Sequence, residues 1–150
     1  MKIGHIAVAV VLTFLLPLPA AAQDRSSGPA CSQCNNRISE AEKRFSVVLK
    51  KIPGMGPSSY DDIGCAVKSR NSECATRQMM FDGSSVAHDY LTAAEVPVET
   101  AYFVFKANVS TPRGYGIVAF KDRAPAEKFA AEQGKGKVIR WFELVDERLE

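Results

Sequence analysis

The chain has 150 residues, with 19 Lys or Arg against 17 Asp or Glu and a formal net charge of +2. That length suits one compact domain, or two very small ones sharing a core. So balanced a charge leaves no basic excess to neutralise phosphates, which argues against nucleic acid as a partner.

The N-terminus reads as a leader. Met1-Lys2-Ile3-Gly4-His5 carries a positive charge, and an apolar run follows from Ile6 to Ala20, broken only by Thr13, Pro17 and Pro19. Ala20-Ala21-Ala22 are small enough for the groove of a signal peptidase, and Gln23-Asp24-Arg25 turns polar at once. Residues 1–22 are therefore predicted to be a cleavable signal peptide, and the protein to be soluble and periplasmic or otherwise exported. Two prolines near the end of the run argue against a membrane span, and no later segment is long and apolar enough for one, so no stable membrane insertion is expected after cleavage. Cys31 lies well past the apolar run, where a lipid-anchored cysteine should not be.

Residues 23–44 form an N-terminal lead-in, with polar, Gly- and Pro-containing residues 23–30 expected to be disordered. A first strand–strand–helix–strand unit is predicted over 45–95. Phe45-Ser46-Val47-Val48-Leu49 is a short β-like run closed by Pro53-Gly54-Met55-Gly56-Pro57, and Ser58-Ser59-Tyr60 is a second strand. Asp61 or Asp62 caps a helix on which Ile63, Ala66 and Val67 share a face. Ser84 to Leu91, after the turn signal Asp82-Gly83, is the third strand.

The second unit, 96–150, repeats the order. Ala101-Tyr102-Phe103-Val104-Phe105 is apolar on both faces and hence central, Thr111-Pro112-Arg113-Gly114 is a turn, and Gly116-Ile117-Val118-Ala119-Phe120 is the antiparallel partner. Asp122 caps a helix with Pro125 in its first turn, Ala126, Phe129 and Ala130 on its buried stripe and Gly134 at its left-handed end. Residues 137–144 read as the last strand. The fold class is α+β, two successive ββαβ units packed as one compact domain, because neither unit buries enough surface alone.

Four cysteines, Cys31, Cys34, Cys65 and Cys74, survive cleavage and meet an oxidising compartment as disulfides, metal-held thiolates or redox-active thiols. Cys31-Ser32-Gln33-Cys34 can close a tight disulfide, cycle as a dithiol or grip a soft metal ion. No strand precedes it, unlike the dithiol of a thioredoxin-like enzyme, and the eight residues between Cys65 and Cys74 fit a structural zinc site poorly. Two ordinary disulfides, Cys31–Cys34 and Cys65–Cys74, are the plain alternative. Among thioethers, Met55 in the Gly-Pro loop is a better ligand candidate than Met79 or Met80. His88 is the one histidine beyond the leader, and Asp89 points to the opposite strand face, so it does not orient the imidazole. No Ser/His/Asp order, phosphate-cradling Gly loop or paired-carboxylate setting stands out, and no enzyme is expected. Asn108-Val109-Ser110 matches a glycosylation sequon that arises easily by chance.

An ordered set of segments resembles the NosL-type nitrous oxide reductase accessory proteins over residues 31–145. It comprises Cys34, Tyr60-Asp61-Asp62-Ile63-Gly64-Cys65-Ala66, Val86-Ala87-His88-Asp89-Tyr90-Leu91-Thr92, Ala101-Tyr102-Phe103-Val104, Gly116-Ile117-Val118-Ala119-Phe120, Ala126-Glu127-Lys128-Phe129 and Gly136-Lys137-Val138. The resemblance implies a periplasmic, usually lipid-anchored Cu(I) carrier of two ββαβ units that hands copper to a client or maturation machinery. It also exposes departures. The family's Cys-Gly-Met is here Cys34-Asn35-Asn36, and a Met-Gly common in the second hairpin is Arg113-Gly114, so Cys34 alone of the family's soft ligands carries over. Cys31 supplies a second thiolate, since two suffice for Cu(I). His88, Met55 or Cys65 is then the third donor, whichever the fold brings near. On this reading a mobile Cys-x-x-Cys exchanges copper with a partner. The alternative is a disulfide-stabilised periplasmic interaction module that has lost metal binding, and a thiol oxidoreductase is a third reading.

Overall fold

Short apolar runs punctuated by turn residues become short strands. After a 3-10 turn at Lys43–Phe45, the elements are β1 (Val47–Leu49), β2 (Ser58–Tyr60), α1 (Ile63–Asn71), β3 (Val86–His88), β4 (Glu95–Pro97), β5 (Tyr102–Phe105), β6 (Val118–Phe120), α2 (Arg123–Glu132), β7 (Lys137–Ile139) and α3 (Trp141–Asp146). The computed structural model describes residues 28–50, 56–71, 85–147 and 149. The leader over 1–22, Met55, Cys74, Met79, Met80 and the Asp82-Gly83 turn lie outside the described residues. Among those described, no helix is long and apolar enough to cross a membrane.

The two units share one plan. In each, the first strand sits between the other two with antiparallel neighbours: β1 between β2 and β3, and β5 between β6 and β7. Val47 stands opposite both Tyr60 and Ala87, and Phe103 opposite both Ala119 and Ile139. The first sheet carries a fourth strand that the sequence analysis does not predict. β4 pairs with β3 at the edge, with Pro97 opposite Val86, where a missing N–H does no harm.

The expectation that β5 is apolar on both faces because it is central holds, and alternation explains what each face meets. Phe103 and Phe105 join the larger core with Val47, Leu49, Tyr60, Ile63 and Trp141, while Val104 turns to the opposite side with Val118, Phe120 and Ala126 of α2. Burying rings such as Phe103 and Trp141, whose centroids lie 5.4 Å apart, contributes about 2–3 kcal/mol each. Neither sheet could close such a core alone.

The run 137–144 is not one strand. β7 ends at Ile139, and α3 begins at Trp141 with Glu143 Oε2 accepting the Arg140 N–H at 2.8 Å. Trp141, Leu144 and Val145 are buried at helical spacing, a period hidden by the β-rich composition just before it. In α2 the expectations fare better. Asp122 occupies the N-cap position without a side-chain hydrogen bond, Ala126 is buried, and Gly134 has a φ of 66° just past the helix.

The Asp89 carboxylate ties the two sheets together at their seam. Asp89 follows β3 and forms an isolated parallel bridge with Ala119 of β6. Its Oδ1 accepts the N–H groups of Leu91 and Thr92 at 3.0 and 2.9 Å and the Thr92 hydroxyl at 2.9 Å, and its Oδ2 accepts the Lys121 N–H at 2.9 Å. Burial works against the charge, but the hydrogen bonds from Lys121, Thr92 and Leu91 outweigh it and hold the carboxyl below its ordinary range. Tyr90 packs beside it against Phe45, Phe120 and Phe129.

A depressed carboxyl stabilises the fold above its unfolded value of about 4, and that contribution is lost as pH falls below 4 toward the folded value. Asp89→Asn should therefore lower stability at pH 7 by about 2 kcal/mol. It should also flatten the acid limb of a stability–pH profile measured by urea unfolding. A second substitution probes packing. A methyl on Gly64 would collide with the Tyr115 ring, so Gly64→Ala should cost about 1–3 kcal/mol in the same assay.

Candidate metal centre

The Cys-x-x-Cys segment is docked, not free. Ala30 bridges Arg37, the Cys31 N–H donates to Asn36 O at 2.7 Å, and the Asn35 N–H donates to Cys31 O at 2.8 Å. Asn35 accepts a φ of 62° to close this turn, a conformation Asn tolerates better than most residues. The Ser32 N–H then donates to Ser59 O at 2.8 Å, so the turn lies along the open edge of β2. Residues 28–30, expected to be disordered, are ordered instead, because their backbone groups find partners within this loop. The mobile Cys-x-x-Cys is likewise corrected: the turn is anchored on a sheet edge.

The next contributor comes from the start of α1. Asp61 and Asp62 are adjacent and do different work. Asp62 caps the helix, its Oδ1 accepting the Gly64 N–H at 2.9 Å. Asp61, expected as an equal alternative for the cap, turns instead toward the cysteines. Its Oδ1 and Oδ2 accept the Cys34 thiol at 3.5 and 3.4 Å. With Cys65 in the first turn of α1, the ligand atoms of Cys31, Cys34, Asp61 and Cys65 all lie within 4.8 Å of one another. Cys31, Asp61 and Cys65 are buried, and Cys34 is half-buried at the mouth.

The three thiols among the described residues are free, so the disulfide Cys31–Cys34 of the alternative reading is not formed. The proposed Cys65–Cys74 pairing involves a residue outside the described set. Of the other ligand candidates, Met55 lies outside it too. His88 is placed elsewhere: its buried Nδ1 sits 2.9 Å from Ser46 Oγ, and it is not in the four-residue group.

Arg113, in the turn between β5 and β6, stands beside the cysteines and Asp61. Its Nε–H donates to Asp61 Oδ2 at 3.1 Å, and its backbone N–H donates to Asp62 Oδ2 at 2.9 Å. The Thr111–Gly114 turn forms as expected, with the Gly114 N–H donating to Thr111 O at 3.1 Å. Asp61 and Arg113 escaped the sequence reading because two neighbouring acids resemble a cap and an arginine in a turn resembles a solvated charge. One signal was available: adjacent residues leaving a strand point to opposite sides, so both acids cannot cap one helix.

The electrostatics follow from these contacts. The hydrogen bond from Cys65 lowers Cys31 to about 6, against the opposing effect of burial. The same bond pushes the Cys65 thiol up, and burial pushes Cys34 up. Burial works to raise Asp61, but hydrogen bonds from the three thiols and the charge of Arg113 hold it below the carboxylate range. Asp62, wholly buried, is pushed up by that burial. The pocket is thus poised to hold one thiolate at neutral pH. In metal-free protein, thiolate ultraviolet absorbance should show a first ionisation near pH 6, and Cys65→Ala should move it up toward the ordinary thiol value of about 8.5. An unchanged midpoint would show that Cys65 does not support the Cys31 thiolate.

Comparison with known proteins gives a consistent answer. No curated protein sequence matches the chain. The crystal structure of the copper chaperone NosL from Shewanella denitrificans superposes with a TM-score of 0.62, over 85% of this chain and 96% of that one, at 18% identity. The likeness is one of fold. The NosL family model matches residues 24–149, nearly the whole chain. With the repeated ββαβ plan and the ordered motifs found in that same span, the chain belongs to the NosL family.

Proposed function

We infer that this protein binds Cu(I) between the sulfurs of Cys31, Cys34 and Cys65 and passes the ion to a receiving protein by ligand exchange. The observation that carries the reading is the convergence of three free thiols within 4.8 Å. Metal–thiolate bonds of about 2.3 Å put two sulfurs on one ion no more than about 4.6 Å apart, so the pocket needs little closure to share an ion. Thiolates are soft ligands and favour Cu(I), which is satisfied by two or three of them. Family membership and the copper chaperone that shares the fold support the same cargo.

Exchange follows from the uneven burial. Cys31 and Cys65 are buried and Cys34 lies at the surface side, so an incoming thiolate or thioether displaces Cys34 first while the inner sulfurs keep the ion. Exchange then depends on an open ligand position at a docked site, without a mobile loop. The apolar run Ile6–Ala20 supports work outside the cytoplasm, where the thiols must be loaded or kept reduced before oxidation closes them.

Titrating the reduced protein with Cu(I) against a chromophoric chelator should show one tightly held ion per chain. Losing two direct ligands in Cys31→Ser, Cys34→Ser should weaken it by more than the roughly 100-fold typical of losing a supporting partner. Cys34→Ser alone should speed transfer to an acceptor chelator, because the outermost sulfur no longer has to be displaced. Equal affinity in the native protein and the double variant would sink the reading.

A further inference from the structure

The pocket contains donors of two kinds. The three sulfurs are soft and the Asp61 carboxylate is hard, and all four ligand atoms are within reach of one ion. A set of three thiolates and one carboxylate suits a tetrahedral divalent ion such as Zn(II), whereas Cu(I) has no need of the oxygen. In this structure the carboxylate is otherwise engaged. Arg113 Nε–H donates to its Oδ2 at 3.1 Å, with Asp61 buried and the arginine side chain 30% exposed at the lip. The arginine is not held by its flexible side chain alone. Its own N–H is fixed on the buried carboxylate of Asp62 at 2.9 Å, within a turn closed from Gly114 to Thr111.

We propose that Arg113 determines which metal this site accepts: by pairing with Asp61 it withholds the hard donor and leaves three sulfurs facing the ion. The inference rests on the three-thiol reading above. A divalent ion that recruits Asp61 must share a carboxylate whose Oδ2 is already held by the guanidinium, which draws charge from it and fixes its orientation. A monovalent ion held by thiolates alone leaves the pair intact, and the arginine then offsets the excess negative charge of the complex. Arg113 is thus a positioning residue that acts through Asp61.

Cobalt(II) is the probe, because its tetrahedral thiolate complexes are coloured where zinc is silent. Reduced native protein, Arg113→Gln and Asp61→Asn, Arg113→Gln are titrated with Co(II) and, separately, with Cu(I) against a chelator. Freeing Asp61 in Arg113→Gln should raise Co(II) affinity by roughly tenfold or more, the effect expected of a group that orients a ligand. The visible bands of a tetrahedral site should appear with it. Adding Asp61→Asn should abolish that gain. A variant that binds Co(II) no better than native, or a gain that survives Asp61→Asn, overturns the proposal. Should Arg113→Gln fail to fold by circular dichroism, Asp61→Asn in the native background decides. Unaltered Co(II) binding upholds the withheld carboxylate, and a loss overturns it. Absence of Cu(I) affinity in every protein would defeat the carrier reading instead, while the Asp61-dependent cobalt gain is still read on its own.

Discussion

The buried carboxylate of Asp62 holds the site together. It has no exposure to solvent, and such a group is tolerated only where hydrogen bonds replace the water it has lost. One oxygen accepts from Gly64 at the start of α1 and the other from Arg113 in the hairpin turn of the second unit. These two bonds orient the first turn of α1, and with it Cys65. They also place the turn that carries the guanidinium. Removing this acid would take the side-chain partner from one buried and one part-buried N–H on opposite sides of the pocket.

Asp89 plays the corresponding part at the seam between the sheets. Both acids follow a strand of the first unit, and both accept backbone N–H groups from the second. Two small sheets that could not stand alone thus gain a common core and two polar ties across it. The pocket sits where the first tie is made. Its walls are a helix start, a docked loop and a hairpin turn, all fixed by main-chain hydrogen bonds.

That rigidity bears on how an ion can move. The inner thiols, Cys31 and Cys65, are buried against the core, and the hydrogen bond between them places one proton and one thiolate on the pair. Cys34 faces outward beside the Asp61–Arg113 pair. In the exchange proposed above, a partner meets one exchangeable sulfur and a guanidinium at the lip, while the deeper sulfurs hold the ion. An arrangement of this kind lets a carrier bind tightly and still release along one side.

Much of the architecture was legible because it rests on local pattern. The double-faced apolar run of β5, the Ile63, Ala66 and Val67 stripe of α1, the Thr111–Gly114 turn and the glycine after α2 each follow from side-chain periodicity or backbone freedom at single residues. Where periods compete within a few residues, as at Ile139 and Trp141, local pattern misled, and β4 was too short and too polar to announce itself. For the site, residue type singled out Cys31, Cys34 and Cys65 as soft donors, and it offered His88 with the same chemistry. Only the tertiary structure decided among them, since His88 turns to Ser46 while Cys65, 31 residues from Cys34, arrives at the pocket. It also drew in Asp61 and, from 52 residues beyond, Arg113. The reason is physical: a ligand's identity belongs to its own side chain, but the distance between ligands is set by how two sheets pack, and no local rule encodes that.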